Sequence, residues 1–280
     1  MTETGPAPDP PDERARVAAN RAAWDVTAAK YVGDVERNVA LLRAGRSALF
    51  PAERAALGLG TAWCGCAVHL QCSHGLDTLS LWVEGAQRVV GVDVSGRMLD
   101  LARAASDALG APATWLQANV LDVPASLDGS ADLVYTGKGA LPWIGDIERW
   151  AQVAARMLAP GGLLFVYEGH PLDWVWEHKA TAYEPRREGG GYFDRAPRVN
   201  RDFPALFIEN ATPAGAEPPR AYEHQWTLGA VVSAVAGAGL RVERLTEYAE
   251  PFWPALPELP PELLRLLPHA YSLEARKPHA

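Results

Sequence analysis

Apolar positions in this chain follow two patterns. Between residues 13 and 48 they recur at helical spacing, as Val17, Ala18, Trp24, Val26, Tyr31, Val32, Val35, Val39 and Leu42. That predicts one or two helices, broken near Gly33 and Asp34. From residue 66 short apolar runs alternate with amphipathic stretches. Residues 67–72, 88–93, 114–117, 131–136 and 163–168 read as buried strands, and 75–84, 95–109 and 146–158 as the helices between them. Ser95 is a capping residue, glycines 85 and 110 stop two of the helices, and Pro160-Gly161-Gly162 reads as the turn after the third. Phe50-Pro51 reads as a further turn. Strands separated by helices of this length form βαβ units, so the expectation is a mostly parallel sheet with helices on both faces. Residues 171–225 break the rhythm and read as an insertion of loops and short antiparallel strands, at Tyr192-Phe193 and at 206–208. A helix over 227–238 and strands over 240–248 and 271–277 then resume it, with a proline-punctuated loop at 251–268 between those strands.

Composition bounds this picture. The chain has 280 residues, enough for one core with an insertion. The expectation is a single domain over 13–280, with a helical cap at 13–60 and an acidic, proline-rich disordered tail at 1–12. No apolar run approaches the ~18 residues of a membrane helix. The first residues lack a basic start and apolar stretch, so a cytoplasmic protein without a membrane partner is expected. The net charge of −8 repels phosphate backbones and argues against a nucleic-acid partner. A monomer or a homodimer is expected. Cys64, Cys66, His69, Cys72 and His74 lie close together. A strand sends alternate side chains to opposite faces, so these five do not converge, and no metal site is expected.

The candidate chemistry follows from the sheet. Ligands of parallel α/β sheets bind outside the carboxyl ends of the strands, where strand order reverses. Gly75, after the first strand, lets a ligand approach the backbone. Asp93, ending the second, can accept hydrogen bonds from both hydroxyls of a ribose. Asn119, followed by Val120 after the third, offers an amide to an adenine edge. Together these loops describe an adenosine site. A dinucleotide enzyme of similar fold is disfavoured, because only Gly75 remains of the GxGxxG turn.

The segment His69-Leu70-Gln71-Cys72-Ser73-His74-Gly75-Leu76-Asp77-Thr78 resembles the first motif, HLQCxxGxDT, of a bacterial subgroup of class I S-adenosylmethionine-dependent methyltransferases. Leu158-Ala159-Pro160-Gly161-Gly162 resembles the LxPGG turn of the same family. Gln71 and Ser73 stand where its commoner loop has glycines. The resemblance spans roughly Val68 to Glu168 and implies a Rossmann-like, seven-stranded, mostly parallel sheet, its last strand antiparallel. It also implies S-adenosylmethionine as cofactor. The residues it places around the cofactor are Tyr31, Gln71, Cys72, Ser73, Gly75, Asp77, Thr78, Asp93, Val94, Met98, Asn119, Val120, Thr136 and Gly137. Val94 and Met98 would flank the adenine or sugar, and Thr136 and Gly137 the methionine end.

The implied activity is methyl transfer to an oxygen or nitrogen atom of a small-molecule acceptor. The alternatives are a protein that holds the cofactor, or its demethylated product, without turnover, and less favoured, an NAD-dependent oxidoreductase. Imidazole titrates nearest neutrality, so His170 and His224 are the first candidates for a general base, with Tyr222 to orient the acceptor. Each histidine reads equally as a hydrogen-bonded loop residue. The aromatics of the insertion form either an apolar acceptor pocket or a small core of their own.

Overall fold

A computed structural model describes residues 12–58, 63–186, 191–200, 203, 220–254 and 256–279. The expected tail, Asp12 excepted, and the strand expected at 206–208 lie outside the described residues. Helix α1 (Glu13–Tyr31) begins where Asp12 Oδ1 accepts the amide of Ala15. It is separated from α2 (Val35–Arg43) by a 3₁₀ turn at Val32–Asp34, the break read from the sequence. Pro51 opens a short helix, α3 (Pro51–Leu57), where the sequence suggested only a turn. Proline fits the first helical position, and the Phe50 amide donates back to Glu53 Oε2 at 2.7 Å.

The alternation then runs β1 (Cys64–Leu70), α4 (Leu76–Val83), β2 (Ala86–Asp93), α5 (Gly96–Leu109), β3 (Ala113–Gln117), β4 (Ala131–Gly137), α6 (Ile147–Met157) and β5 (Leu158–Gly169). Two short strands, β6 (Arg198–Asn200) and β7 (Ala221–Glu223), pair antiparallel in the insertion. Tyr192 and Phe193, expected in a strand, lie in a turn. The chain continues through α7 (Leu228–Gly237), β8 (Arg241–Tyr248), α8 (Pro261–Leu264) and β9 (Ala270–Arg276). The main sheet has seven strands in the order β3-β2-β1-β4-β5-β9-β8, with β9 antiparallel to both its neighbours. Strand order reverses between β1 and β4. The Pro-Gly-Gly segment is not a free turn but part of β5. The Gly161 amide donates to Lys277 O and the Lys277 amide to Gly162 O, so the end of β9 holds it in the sheet.

Alternating positions divide the core. Val68, Leu70, Val92, Val134 and Val166 face Trp150 and Met157 of α6 and Val235 of α7, whereas Ala67, Val89, Leu133 and Phe165 face Leu57 and Leu81. Among the described residues no helix is long and apolar enough to cross a membrane. The indole of Trp115 lies across Gly91 of β2 and donates to Ser106 Oγ at 3.0 Å. A Cβ at Gly91 would stand 2.4 Å from that ring, and one at Gly75 2.6 Å from it. Gly91→Ala is therefore expected to lower stability by about 1–3 kcal/mol through overpacking. Urea denaturation checks this, and an unchanged midpoint contradicts the packing described.

Candidate functional site

The reversal of strand order leaves a cleft of about 260 Å³ over the carboxyl ends of β1 to β4, roofed by α1. Its wall comes from four loops. Gln71, Cys72, Ser73, His74 and Asp77 follow β1, while Asp93 and Val94 end β2. Asn119 and Val120 follow β3, and Gly137 to Ala140 with Trp143 follow β4. Asn20, Trp24 and Tyr31 come down from α1. Ten of the fourteen residues expected around the cofactor thus line one cavity. Gly75, Thr78, Met98 and Thr136 stand behind its wall instead. Gly75 faces Trp115 and Ala102, so its missing side chain serves packing rather than ligand approach. Thr78 Oγ1 lies 2.8 Å from His69 Nδ1, and Thr136 Oγ1 donates to Leu70 O. Met98 is fully buried beneath Ser73, whose hydroxyl donates to its sulfur.

The loop after β1 takes left-handed backbone at three positions, only one of them a glycine. Gln71, Ser73 and Gly75 have φ of +58°, +50° and +80°. Lys138 at +59° completes the set of non-glycine residues with positive φ among the described residues, and all three line the cleft. Each costs about 1–2 kcal/mol in backbone strain, a cost carried by bonds around it. Gln71 Nε2 donates to Ala140 O, the Ser73 amide to Asp93 Oδ2 and the Lys138 amide to Tyr167 O, each at 2.7 Å.

Two carboxylates organise the loops. Asp93 accepts the amides of Ser73 at 2.7 Å and Ser95 at 2.8 Å. Burial pushes its pKa up to about 6, against the pull of those amides. Ser95 in turn caps α5 and donates its hydroxyl to Asp25 of α1 at 2.6 Å. Asp25 thereby seats the roof on the N-terminus of α5, where the helix dipole favours an anion. Glu168 accepts the amides of Gly139, Ala140 and Leu141 at 2.6–2.9 Å and so fixes the loop after β4. Burial raises its pKa to about 7, again opposed by the amides.

Beneath the cleft Lys138 Nζ bridges Asp77 Oδ1 (2.8 Å) and the fully buried Glu53 Oε2 (3.1 Å), and the Tyr135 hydroxyl donates to Glu53 Oε1. Burial alone would lower the ammonium's pKa, but Asp77 and Glu53 overcome it and raise it. Lys138 thus lines the cleft while its ammonium is held in this bridge. His69 and His74 also line the cleft. Burial pushes His69 down to about 4 and lowers His74, which stacks on Tyr31 with ring centres 4.4 Å apart.

The three residues singled out for catalysis do not line the cavity. His170 caps the turn at Pro171–Val175 through Nδ1 and pairs through Nε2 with Glu247. His224 is buried, its amide donating to Pro142 O, and burial holds its ring down to about 4. Tyr222 is bonded to Asn20 through both backbone groups. The cysteines are free and buried, and among the described residues no three His, Cys, Asp or Glu are grouped to hold a metal. Sequence reading missed Asp25, Glu53 and the clamping role of Glu168, whose partners are distant in the chain. The one local hint was Glu53 at the third position of a proline-started helix. Lys138→Met, which leaves Glu53 buried without its cation, is expected to cost about 3–5 kcal/mol in a denaturant titration. Adding Glu53→Gln should recover most of that loss, and additive losses would contradict the coupling.

Residues 67–162 match a family described as the methyltransferase domain. A solved S-adenosylmethionine-dependent methyltransferase from Mesorhizobium loti is 27% identical, with a TM-score of 0.58 over 81% of this chain and 96% of its own. One from Methanosarcina mazei is 17% identical, with a TM-score of 0.55 over 83% and 99%. The geranyl diphosphate C-methyltransferase of Streptomyces coelicolor, solved with S-adenosyl-L-homocysteine, is 14% identical, with a TM-score of 0.54 over 81% and 78%. No curated protein matches the sequence. Residues 67–162 thus resemble a methyltransferase domain, the fold is the Rossmann-like one of the class I methyltransferases, and the cofactor this indicates is S-adenosylmethionine.

Proposed function

We propose that this protein transfers a methyl group from S-adenosylmethionine to an oxygen or nitrogen atom of a small-molecule acceptor. The observation that carries the reading is the form of the cleft. At about 260 Å³ it lies just below the roughly 300–1,000 Å³ usual for small-molecule sites. One end holds the acid and amide suited to a nucleoside, Asp93 and Asn119. At another, Trp24 and Trp143 pack with Phe203 in an aromatic cluster, ring centres 4.9–5.2 Å apart. Such a surface suits a planar or apolar acceptor.

The wall also suits the cofactor. Asp93 keeps lone pairs for the ribose hydroxyls beyond those used by its two amides. Gln71 Oε1 is buried without a partner, an acceptor atom for a donor at the methionine end. Bound there, the cofactor supplies a sulfonium methyl group that an in-line nucleophile can take. The chain's part is alignment and exclusion of water. Asn20, Trp24 and Tyr31 close the roof, and the bonds of Glu168 hold the loop opposite. Burial favours the neutral form of both histidines that line the cleft, and His170, His224 and Tyr222 lie outside it. The acceptor is therefore one that is nucleophilic without a strong base, such as an acidic hydroxyl, a carboxylate or an unprotonated amine. That no strong base stands among the described lining residues favours, as the second reading, a protein that holds the cofactor without turnover.

Incubation with S-adenosylmethionine and pooled small phenols, aromatic acids and amines distinguishes the two. The expected result is acceptor-dependent release of S-adenosylhomocysteine, reduced roughly tenfold or more by Asp93→Ala. Binding of the cofactor with no release from any pool would overturn the enzyme reading in favour of a holder.

A further inference from the structure

The insertion contains a half-buried cation, Arg198, whose hydrogen-bonding capacity is only partly used. Arg198, on β6, donates from Nη2 to Gln225 Oε1 at 2.5 Å, and its guanidinium lies 5.4 Å from the ring centre of Trp174. Its Nε and Nη1 are buried with no partner, and so is Trp176 Nε1. Within the described part of 171–200 every orphaned buried side-chain atom is therefore an N–H donor. A buried donor left unpaired costs about 1–3 kcal/mol, more for a charged group. What this site lacks is an acceptor, and for a guanidinium the natural acceptor is an oxyanion.

The chain's own candidate does not fill that role. Glu223 stands directly opposite Arg198 in the β6–β7 register, yet its carboxyl accepts from Asn200 Nδ2. Burial raises its pKa to about 7, and Arg198 and Arg186 only partly oppose this. Gln225 is held in place by its own bonds to Pro171 O and Tyr192 O, so the guanidinium is anchored from behind. Arg186 adds a second positive charge nearby, and the carboxylates of Asp194 and Glu223 both act on Arg198 through space, without a hydrogen bond to it.

Strand periodicity relates this site to the cleft. Arg198, Asn200, Ala221 and Glu223 share one face of the two-stranded sheet. Ala221 on that face packs with Ala23 and Phe203 against Trp24 and Trp143, the two tryptophans of the cleft wall. Through Asn20, which bonds both backbone groups of Tyr222, β7 is also tied to the roof of the cleft.

We propose that Arg198 anchors an anionic oxygen group, a carboxylate or a phosphate, on the methyl acceptor, and so selects acidic aromatic or apolar molecules. The proposal rests on the methyl-transfer reading above, since it places the acceptor beside the aromatic cluster. The test is isothermal titration of the protein saturated with S-adenosylhomocysteine, using benzoate, phenyl phosphate and the neutral benzamide as probes. The two anions are expected to bind and benzamide to bind at least tenfold more weakly, with the tighter anion identifying the group. Arg198→Met should weaken the anions about tenfold or more, and Arg198→Lys less, because the charge remains while the planar fork is lost. Neither substitution should alter S-adenosylhomocysteine affinity. If Arg198→Met does not fold, the Arg198→Lys series carries the comparison. Equal binding of benzamide and the anions, or anion binding unchanged in both variants, would overturn the assignment. So would absence of anion binding in protein that binds S-adenosylhomocysteine, whereas loss of S-adenosylhomocysteine binding in the unaltered protein would instead strike the reading on which it rests.

Discussion

The carboxylate of Asp93 joins segments that no sheet bond connects. One oxygen holds the amide of Ser73, in the loop after β1, and the other holds the amide of Ser95, which opens α5. Through the Ser95 hydroxyl the same junction reaches Asp25 and seats the roof helix. The strained conformation at Ser73 is stable because this acid waits at the end of the neighbouring strand. Placing a carboxylate there has its own cost, visible in the upward shift that burial imposes on it. The acid that organises the loops also faces the cavity.

The wall opposite works in the same way. Glu168 gathers three successive amides of the loop after β4, and Lys138 is held from below by Asp77 and Glu53. Backbone strain at Gln71, Ser73 and Lys138 is concentrated around the cleft and offset by buried polar contacts in the surrounding shell. Preorganisation of this kind suits methyl transfer, where orientation rather than proton transfer is the main demand on the protein.

Much of this was legible in the chain because parallel strands buried on both faces write themselves as short apolar runs, and because ligand loops must follow those strands. Gly75, Asp93 and Asn119 could be aligned on that logic alone. Other features depended on distant partners. Pro160-Gly161-Gly162 reads locally as a turn, yet its bonds to Lys277 draw it into β5. Glu53 and Lys138 are 85 positions apart, and nothing near either announces a buried ion pair. His170 directly follows β5, and a histidine that caps a turn is indistinguishable in sequence from one that faces a ligand. Gly75 stands in the expected loop for a different reason, the indole of Trp115 on β3.

On the proposed reading, the Asp93 carboxylate receives the nucleoside of S-adenosylmethionine. Its pKa near 6 makes the claim directly measurable, because only the ionised form can accept from both ribose hydroxyls. Below that value the proton competes with the ligand, so affinity should fall by about tenfold between pH 7.5 and pH 5. Isothermal titration with S-adenosylmethionine at the two pH values, on the unaltered protein and on Asp93→Asn, is the decisive measurement. The expected result is micromolar binding at pH 7.5, weakening at pH 5, and weak binding without that pH dependence in the variant. Affinity unaffected by pH and by the substitution, or tight binding of NADH in place of S-adenosylmethionine, would contradict it.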